Sequence, residues 1–587
     1  MGGFVGLISE YYLLVARFLF VFCGIYIFIQ IKRHMLGQPV SPRILAVLYI
    51  ENGVTRLPIT HFETTIGRSK SCDVVIPLAI ISRQHAVLSM STDGSWRIAD
   101  TCSKGGIFVN GEELTEGAAI QIGDEITLAG VSMTLMPVSS KDSIKDTGKK
   151  SKYGWVQKVR VRVGNMKKRD ASVSRALYAL NLFQILACMQ FLLSPHVDQK
   201  HYPALFLSFG VLLVVPWVYR SIAQKLGNHN VGAEIAAFFL STLGFCTAAS
   251  AAPDSLFKQL AAMGLGLVIF CVLCAILKNL ELTMKLRPYA GVISLVVLAA
   301  NLVLGATING QRNWIRIGSV SIQPSEFVKI LFIFAGAATL QWLLTTKNLT
   351  TLTVYASGCI GLLFLMGDFG TALIFFFTFI VLIFMTSGDM RAIALTVVAA
   401  GLGALLIISY KPYITQRFAS WGRVWEQVND SGFQQTRALM AIASGGMLGI
   451  GGGNGFFHRV YAADTDLVFG VLWEEWGMII AFLVLGCYAL FLFGAIRSRH
   501  TTRSSYYVIA ACTAATVFLF QASLNVFGTT DVLPITGVTL PFISNGGSSL
   551  AASWGMLSFI TAALNYERPK QKEATPVAAG KRRMGAQ

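Results

Sequence analysis

Long apolar runs alternate with short polar ones along most of this chain. The first, Leu7–Ile31, closes on Lys32, Arg33 and His34, and it is long enough to span a bilayer, which takes about 20 residues. It has no basic leader and no small-residue cleavage site, so it reads as an anchor helix. Beyond residue 175 about twelve more runs of span length follow, near 176–194, 203–219, 231–250, 260–277, 288–306, 325–344, 350–366, 371–387, 391–409, 467–494, 506–527 and 546–563. Between these regions the period changes. Residues 44–137 hold short alternating runs such as Leu45–Tyr49, Ala86–Leu88 and Ile126–Leu128, parted by Asn52-Gly53, Asp93-Gly94, Asn110-Gly111 and Gly123-Asp124. Short strands between regular turn signals predict an all-β sandwich. The expected architecture is therefore multidomain: an anchor helix (1–43), an all-β sandwich (44–137), a basic linker (138–175), an all-α polytopic membrane bundle (176–565) and a basic tail (566–587).

Composition agrees with a membrane protein. Of 587 residues, 54% are hydrophobic and 13% charged, against about 25% charged in soluble domains. This excludes a purely soluble enzyme, a disordered chain and a collagen-like fibre. The ten cysteines lie in apolar runs or in the sandwich, as buried free thiols of a reducing compartment do, and Cys271/Cys274 has no second pair with which to hold a metal. The net charge is +18, and Lys141–Arg175 alone carries twelve Lys/Arg against three Asp. Because the basic stretches abut apolar runs, they read as cytoplasmic segments beside anionic lipid, with no nucleic acid among the partners. Lys32 and Arg33 on the inner side place the N-terminus outside and the sandwich and tail in the cytoplasm. On that topology Arg312, Arg316, Lys411, Arg417, Arg423 and Arg437 fall outside, where a polyanionic substrate is one reason for positive charge.

The sandwich carries Gly67-Arg68, Ser82-Arg83-x-His85, Ser103-x-Gly-Gly106 and Asn110-Gly111. In this set it resembles a forkhead-associated (FHA) domain, a β-sandwich that binds phosphothreonine. The resemblance implies Arg68, Ser82 and Arg83 as phosphate contacts and gives His85 and Asn110 structural roles. A guanidinium fork suits phosphate. Gly105 and Ile107 stand where that family usually has Asn and Thr.

In the bundle, polar residues within or at the mouths of spans mark candidate sites. Four clusters stand out: Gly310–Gly318 with Gln323-Pro324-Ser325-Glu326-x-x-Lys329; Gly367-Asp368-Phe369-Gly370-Thr371; Thr465-Asp466-Leu467-x-Phe469 with Glu474-Glu475; and Pro534–Ser549, which contains Pro541-Phe542-Ile543-Ser544-Asn545-Gly546-Gly547-Ser548-Ser549. These resemble the SEDS family (shape, elongation, division and sporulation proteins; the RodA/FtsW/SpoVE group) over roughly 176–565. Its members polymerise lipid II, an undecaprenyl diphosphate-linked precursor, into peptidoglycan outside the bacterial cytoplasmic membrane, with a class B penicillin-binding transpeptidase. The resemblance places the essential carboxylate at Asp466. Asn545 replaces the usual Tyr, Met366-Gly367 replaces Gln-Pro, and the spans exceed the family's norm of about ten.

Glycan polymerisation needs a base for the acceptor hydroxyl and positive charge for the diphosphate leaving group. Asp466 at a membrane–water boundary suits the base. Arg312 and Lys329 are candidates for the diphosphate, with a divalent cation (Mg or Mn) as a further option; no metal-ligand spacing among the eight His specifies one. Direct displacement by this route inverts the anomeric centre. Glu326 is expected to orient Lys329. Asp368 is either a cavity residue or a helix N-cap, Glu474 either a cavity residue or half of a buried pair, and Ser544 and Ser548 complete the substrate-binding set. The glycines of 445–455 lack the Lys-Ser/Thr of a phosphate loop and are expected in a flexible outer loop or a re-entrant turn. A lipid II flippase or a non-catalytic cell-wall scaffold are the alternatives. The FHA resemblance implies control by a phosphothreonine protein or a Ser/Thr kinase.

Overall fold

The computed structural model describes residues 2–37, 44–137, 166–338, 346–387 and 421–565, apart from one to four residues at a time within these ranges, and isolated positions between 394 and 401. Thirteen α-helices fall among the described residues: α1 (Gly2–Leu36), α2 (Met166–Leu193), α3 (Tyr202–Lys225), α4 (Gly232–Ala251), α5 (Leu256–Leu277), α6 (Leu280–Leu304), α7 (Pro324–Gly336), α8 (Thr346–Leu365), α9 (Phe369–Ser387), α10 (Phe433–Gly445), α11 (Val468–Ser498), α12 (Ser505–Thr529) and α13 (Gly547–Leu564). Nine are long and apolar enough to cross a membrane, with two shorter apolar helices within α8 and α9. Each expected span has its helix except 391–409, which lies largely outside the described residues, as does the basic tail. The linker ends earlier than expected, because α2 carries the helix back through Lys167–Asp170 to Met166.

The first helix is part of the bundle and not only a tether. Ala16, Phe20, Cys23, Ile27, Ile31 and Met35 recur every three or four residues and are all buried, while Phe18, Phe22, Ile25 and Ile29 face out, the one-sided stripe of a packed helix. Lipid is as apolar as these side chains, so association rests on close contact and small residues. Gly24 is such a residue: a Cβ there would lie 2.8 Å from the Ile480 side chain of α11.

Helix α11 is interrupted at Gly477 (φ 81°, ψ 170°). The glycine-rich segment after α10 fills the break. Met478 N–H donates to the Gly446 carbonyl (3.0 Å), Ile450 N–H to Glu474 (2.9 Å) and Gly451 N–H to Glu475 (2.9 Å). Non-helical backbone at this depth is stable only when protein satisfies it. The segment is therefore a buried re-entrant turn, and the flexible-loop alternative is set aside. A Cβ at Gly477 would sit 2.4 Å from the Gly449 nitrogen. Gly477→Ala is expected to destabilise the bundle by at least about 2 kcal/mol, from strain in a left-handed conformation plus overlap, measured as a lowered Tm in detergent.

Residues 44–137 form the predicted sandwich. Its strands are β1 (Ala46–Ile50), β2 (Thr55–Ile59), β3 (Glu63–Gly67), β4 (Val74–Val75), β5 (Ala86–Met90), β6 (Trp96–Asp100), β7 (Ile107–Val109), β8 (Glu112–Glu113), β9 (Ala118–Ile120), β10 (Glu125–Leu128) and β11 (Val131–Met136). One sheet runs β2-β1-β11-β10-β7-β8 and the other β4-β3-β5-β6-β9, with Leu48, Ile66, Leu88, Ile98, Ile107, Ile126 and Leu135 buried between them. The sandwich meets the bundle at the α11–α12 connection. Arg499 pairs with Asp73 at 2.9 Å, and Glu63 accepts from the Ser504 hydroxyl (2.6 Å) and from Ser505. This contact lies at the opposite end of α11 from Asp466, separated by about 45 Å of helix at 1.5 Å per residue.

Candidate functional site

The four polar clusters converge although they are far apart in sequence. The stretch between the expected spans 288–306 and 325–344 holds a three-stranded meander of β12 (Ala306–Ile308), β13 (Gln311–Ile317) and β14 (Val320–Ile322). The β-prone run Trp314-Ile315-Arg316-Ile317 was the readable signal. The meander turns Asn313 inward, where its amide donates to Asp368 Oδ2 at 3.2 Å. Gln323 Nε2 donates to the same oxygen at 3.2 Å, and Thr371 N–H donates to Oδ1 at 3.2 Å. Asp368 is thus the N-cap of α9 and a buried tie between the meander, the start of α7 and α9. The main-chain N–H of Gln323 donates to Ser548 Oγ at 3.1 Å, which adds the start of α13.

Asp466 lies on the other side of the same assembly, half-buried. Its N–H donates to the Ala462 carbonyl (3.1 Å), and its carbonyl accepts from Asn525 of α12 at 2.8 Å; the same Asn525 amide donates to Val538 at 2.9 Å. The Asp466 carboxylate faces Gly537, whose Cβ position would be 3.6 Å from Oδ2. Next along that strand of loop, the Thr536 carbonyl presses on Gly370, just past Asp368, with only 2.8 Å to a Cβ placed there. Two further ties fix the Asp466 loop. Ser544 is buried, donates to the Thr465 carbonyl (2.6 Å) and accepts from Leu540 N–H (2.8 Å). Asn545 Nδ2 donates to Asp464 Oδ2 at 2.9 Å while its Oδ1 accepts from Ser255 at 3.1 Å.

Several expected substrate contacts therefore have protein partners. Both oxygens of Glu474 accept backbone N–H groups, from Phe456 (3.1 Å) and Phe457 (3.0 Å), which corrects its reading as a cavity residue or ion-pair partner: it caps the re-entrant turn. Lys329 is buried and bonded to Glu326 at 2.7 Å, the orienting pair expected. Ser544 serves the Asp466 loop through both its hydrogen-bonding roles. Arg312 is exposed on β13, its Nε donating to Thr307 at 3.3 Å. Asn313, Gln323 and Asn545 lay within the clusters but had no role assigned, and Asn525 and Asp464 lay outside them; a buried amide in an apolar span, as at Asn525, was the available signal. Asn525→Ala removes the donor from two main-chain carbonyls, so a loss of about 1–3 kcal/mol is expected, checked by Tm.

On the sandwich, Arg68 and Arg83 are exposed and Ser82 is half-buried. Their loops are laced together by Arg68 N–H to Ser82 O and Ser69 N–H to Arg83 O, both 2.9 Å. Lys104 N–H donates to Ser82 Oγ at 3.0 Å. His85 Nδ1 accepts from Ser82 N–H at 3.1 Å, so Nε2 carries the ring proton, which it gives to the Gly106 carbonyl at 3.0 Å. Asn110, at φ 51°, bonds Asp124 and Glu125. Both have the structural roles expected. Gly105 has a local cause: a Cβ there would be 2.3 Å from that of Ala129. Burial, with Asp73 alongside, pushes the Cys72 thiol up, so it stays protonated beside the Arg68 loop.

A family model described as "Cell cycle protein" (FtsW, RodA, SpoVE) matches residues 234–568. The chain belongs to the FtsW/RodA/SpoVE family. The FHA domain model matches residues 64–129. Among curated relatives, the probable peptidoglycan glycosyltransferase FtsW of Coxiella burnetii is 33% identical over 279 residues, covering 45% of this chain and 75% of that protein. Stage V sporulation protein E of Bacillus subtilis is 32% identical over 283 residues, covering 47% and 76%. A solved peptidoglycan synthase complex, described as coordinating polymerization and crosslinking, is 29% identical over 56% of this chain and 96% of that one, with a TM-score of 0.48. The family match begins inside α4, so α1, the sandwich, α2 and α3 all precede it. The chain is a multi-pass membrane protein.

Proposed function

We propose that the protein is a peptidoglycan glycosyltransferase that polymerises lipid II at the outer face of the bacterial cytoplasmic membrane, regulated through its FHA domain. The observation that carries this reading is the linkage of four separated motifs, two of them meeting at Asp368 and the Pro534–Ser549 segment joining these to the Asp466 loop, in a chain whose family relatives carry the glycosyltransferase name. The half-buried Asp466 carboxylate takes the proton from the acceptor hydroxyl. The exposed Arg312 guanidinium meets the diphosphate as it leaves, its charge offsetting the negative charge that develops there. Attack on the anomeric carbon from the side opposite the diphosphate inverts that centre. The Glu326–Lys329 pair holds a second cation near the start of α7. Among the described residues no cluster of three or more His, Cys, Asp or Glu could hold a metal; a divalent cation arriving with the substrate would be held by Asp466 and would supply positive charge for the leaving diphosphate.

On this reading the N-terminus and the Asp466 loop lie outside, and the sandwich and tail lie in the cytoplasm where a Ser/Thr kinase acts. The partner for crosslinking is a class B penicillin-binding transpeptidase. The test is polymerisation of labelled lipid II by the full chain in detergent, with and without a co-purified transpeptidase. Polymer from the wild type is expected. No polymer in either condition, with translocation of lipid II by the same chain in proteoliposomes, would favour the flippase instead.

A further inference from the structure

Arg17 is the only charged residue between Tyr11 and Ile31 of α1. A cation in an apolar span is costly to place and marks a site with a partner. Its Nη2 donates to the Ile450 carbonyl at 2.7 Å, on the re-entrant turn that fills the break in α11. Helix α2 and the residue just past its end add two more donors to the same turn: Gln190 Nε2 to the Gly452 carbonyl at 3.2 Å and Ser194 Oγ to that of Gly453 at 3.3 Å. Three side chains that precede the family-matched region thus take three carbonyls within four residues.

The glycines supply an independent observation. At Gly451 (φ 99°) a Cβ would lie 2.7 Å from Gln190 Nε2 and 2.8 Å from the Leu13 side chain; at Gly452, 3.1 Å from Phe191; at Gly453, 3.1 Å from Ser194 Oγ. The turn is glycine-rich where α1 and α2 press on it.

From the turn the contacts continue to the site. Ile450 and Gly451 bond the main chain of Glu474 and Glu475, Glu474 holds Phe456 and Phe457, and the buried Phe457 packs with Ala463 and Leu467 on either side of Asp466. We propose that α1 and α2 form a clamp on the re-entrant turn, and that Arg17 is a positioning residue for the Asp466 loop. The effect on turnover rests on the glycosyltransferase reading; the clamp itself does not.

The test uses the full chain in lipid nanodiscs, with Arg17→Leu, Arg17→Lys and, to keep the membrane charge unchanged, Gln190→Leu. Amide exchange at 449–453 is expected to rise about tenfold in Arg17→Leu and in Gln190→Leu, as loss of a single strong hydrogen bond allows, while exchange in α13 stays as in the wild type and Arg17→Lys recovers most of the protection. In lipid II polymerisation, kcat is expected to fall severalfold with KM unchanged. Unchanged exchange at 449–453 in both Leu variants would overturn the clamp, as would faster exchange spread evenly over all helices. A fall confined to KM would overturn the positioning role. A wild type that makes no polymer, yet shows the exchange difference, would overturn the glycosyltransferase reading and leave the clamp standing.

Discussion

Asp466→Asn is expected to lower lipid II polymerisation by about two to four orders of magnitude, the usual share of a positioned general base. The substitution is close to isosteric. Two of the hydrogen bonds at this residue run through its main chain, to Ala462 and from Asn525, and both survive the change. The variant should therefore fold with nearly the wild-type Tm, and its defect should fall on kcat. Asp464→Asn is the matched control. That carboxylate is bonded to Asn545, so its loss should disturb geometry and reduce the rate far less. Equal rates from wild type and Asp466→Asn would remove this carboxylate from the chemistry.

Periodicity made most of the architecture readable. The short runs Ala86–Leu88 and Ile126–Leu128 between turn signals became strands β5 and β10, and the apolar runs became helices, with α2 and α6 beginning ten and eight residues before their expected starts. Asp466 was legible because it belongs to a contiguous motif. What periodicity could not show was pairing across the chain. Asp368 reads equally well as cavity residue or cap until Asn313 and Gln323 are seen on its second oxygen. Glu474 reads as a cavity residue or half of a buried pair until the N–H groups of Phe456 and Phe457 are found 18 and 17 residues upstream. The glycines of 449–453 left a flexible loop and a re-entrant turn open for a related reason. Gly451 and Gly453 are crowded by Leu13, Gln190, Phe191 and Ser194, more than 250 residues earlier, so composition alone could not separate the two.

Arg68→Ala is expected to weaken binding of a phosphothreonine peptide to the full chain by at least about tenfold, and by more where the guanidinium engages two phosphate oxygens, since charge-assisted bonds of this kind contribute about 1.5–3 kcal/mol each. Arg68 is exposed and its loop is held by main-chain bonds to Ser82 and Arg83, so the sandwich should keep its stability. Ser82→Ala should weaken binding less, because a neutral hydroxyl is lost, although the Lys104 N–H also loses its acceptor. Titration calorimetry with phosphorylated and unphosphorylated forms of one peptide separates the effects. Wild type should discriminate between the two forms, and Arg68→Ala should bind both with similar weakness. Equal binding of the two forms by the wild type would reduce the sandwich to a docking domain. The loop's position gives the result wider meaning. Five residues after Arg68, Asp73 pairs with Arg499, and Asp73 Oδ2 also accepts from the Thr65 hydroxyl at 2.8 Å on β3. A phosphopeptide on Arg68 therefore sits beside the contact that ties the sandwich to α11, the helix whose far end begins two residues after Asp466. If occupancy of Arg68 alters polymerisation, the effect should weaken in Arg499→Ala while peptide affinity stays unchanged.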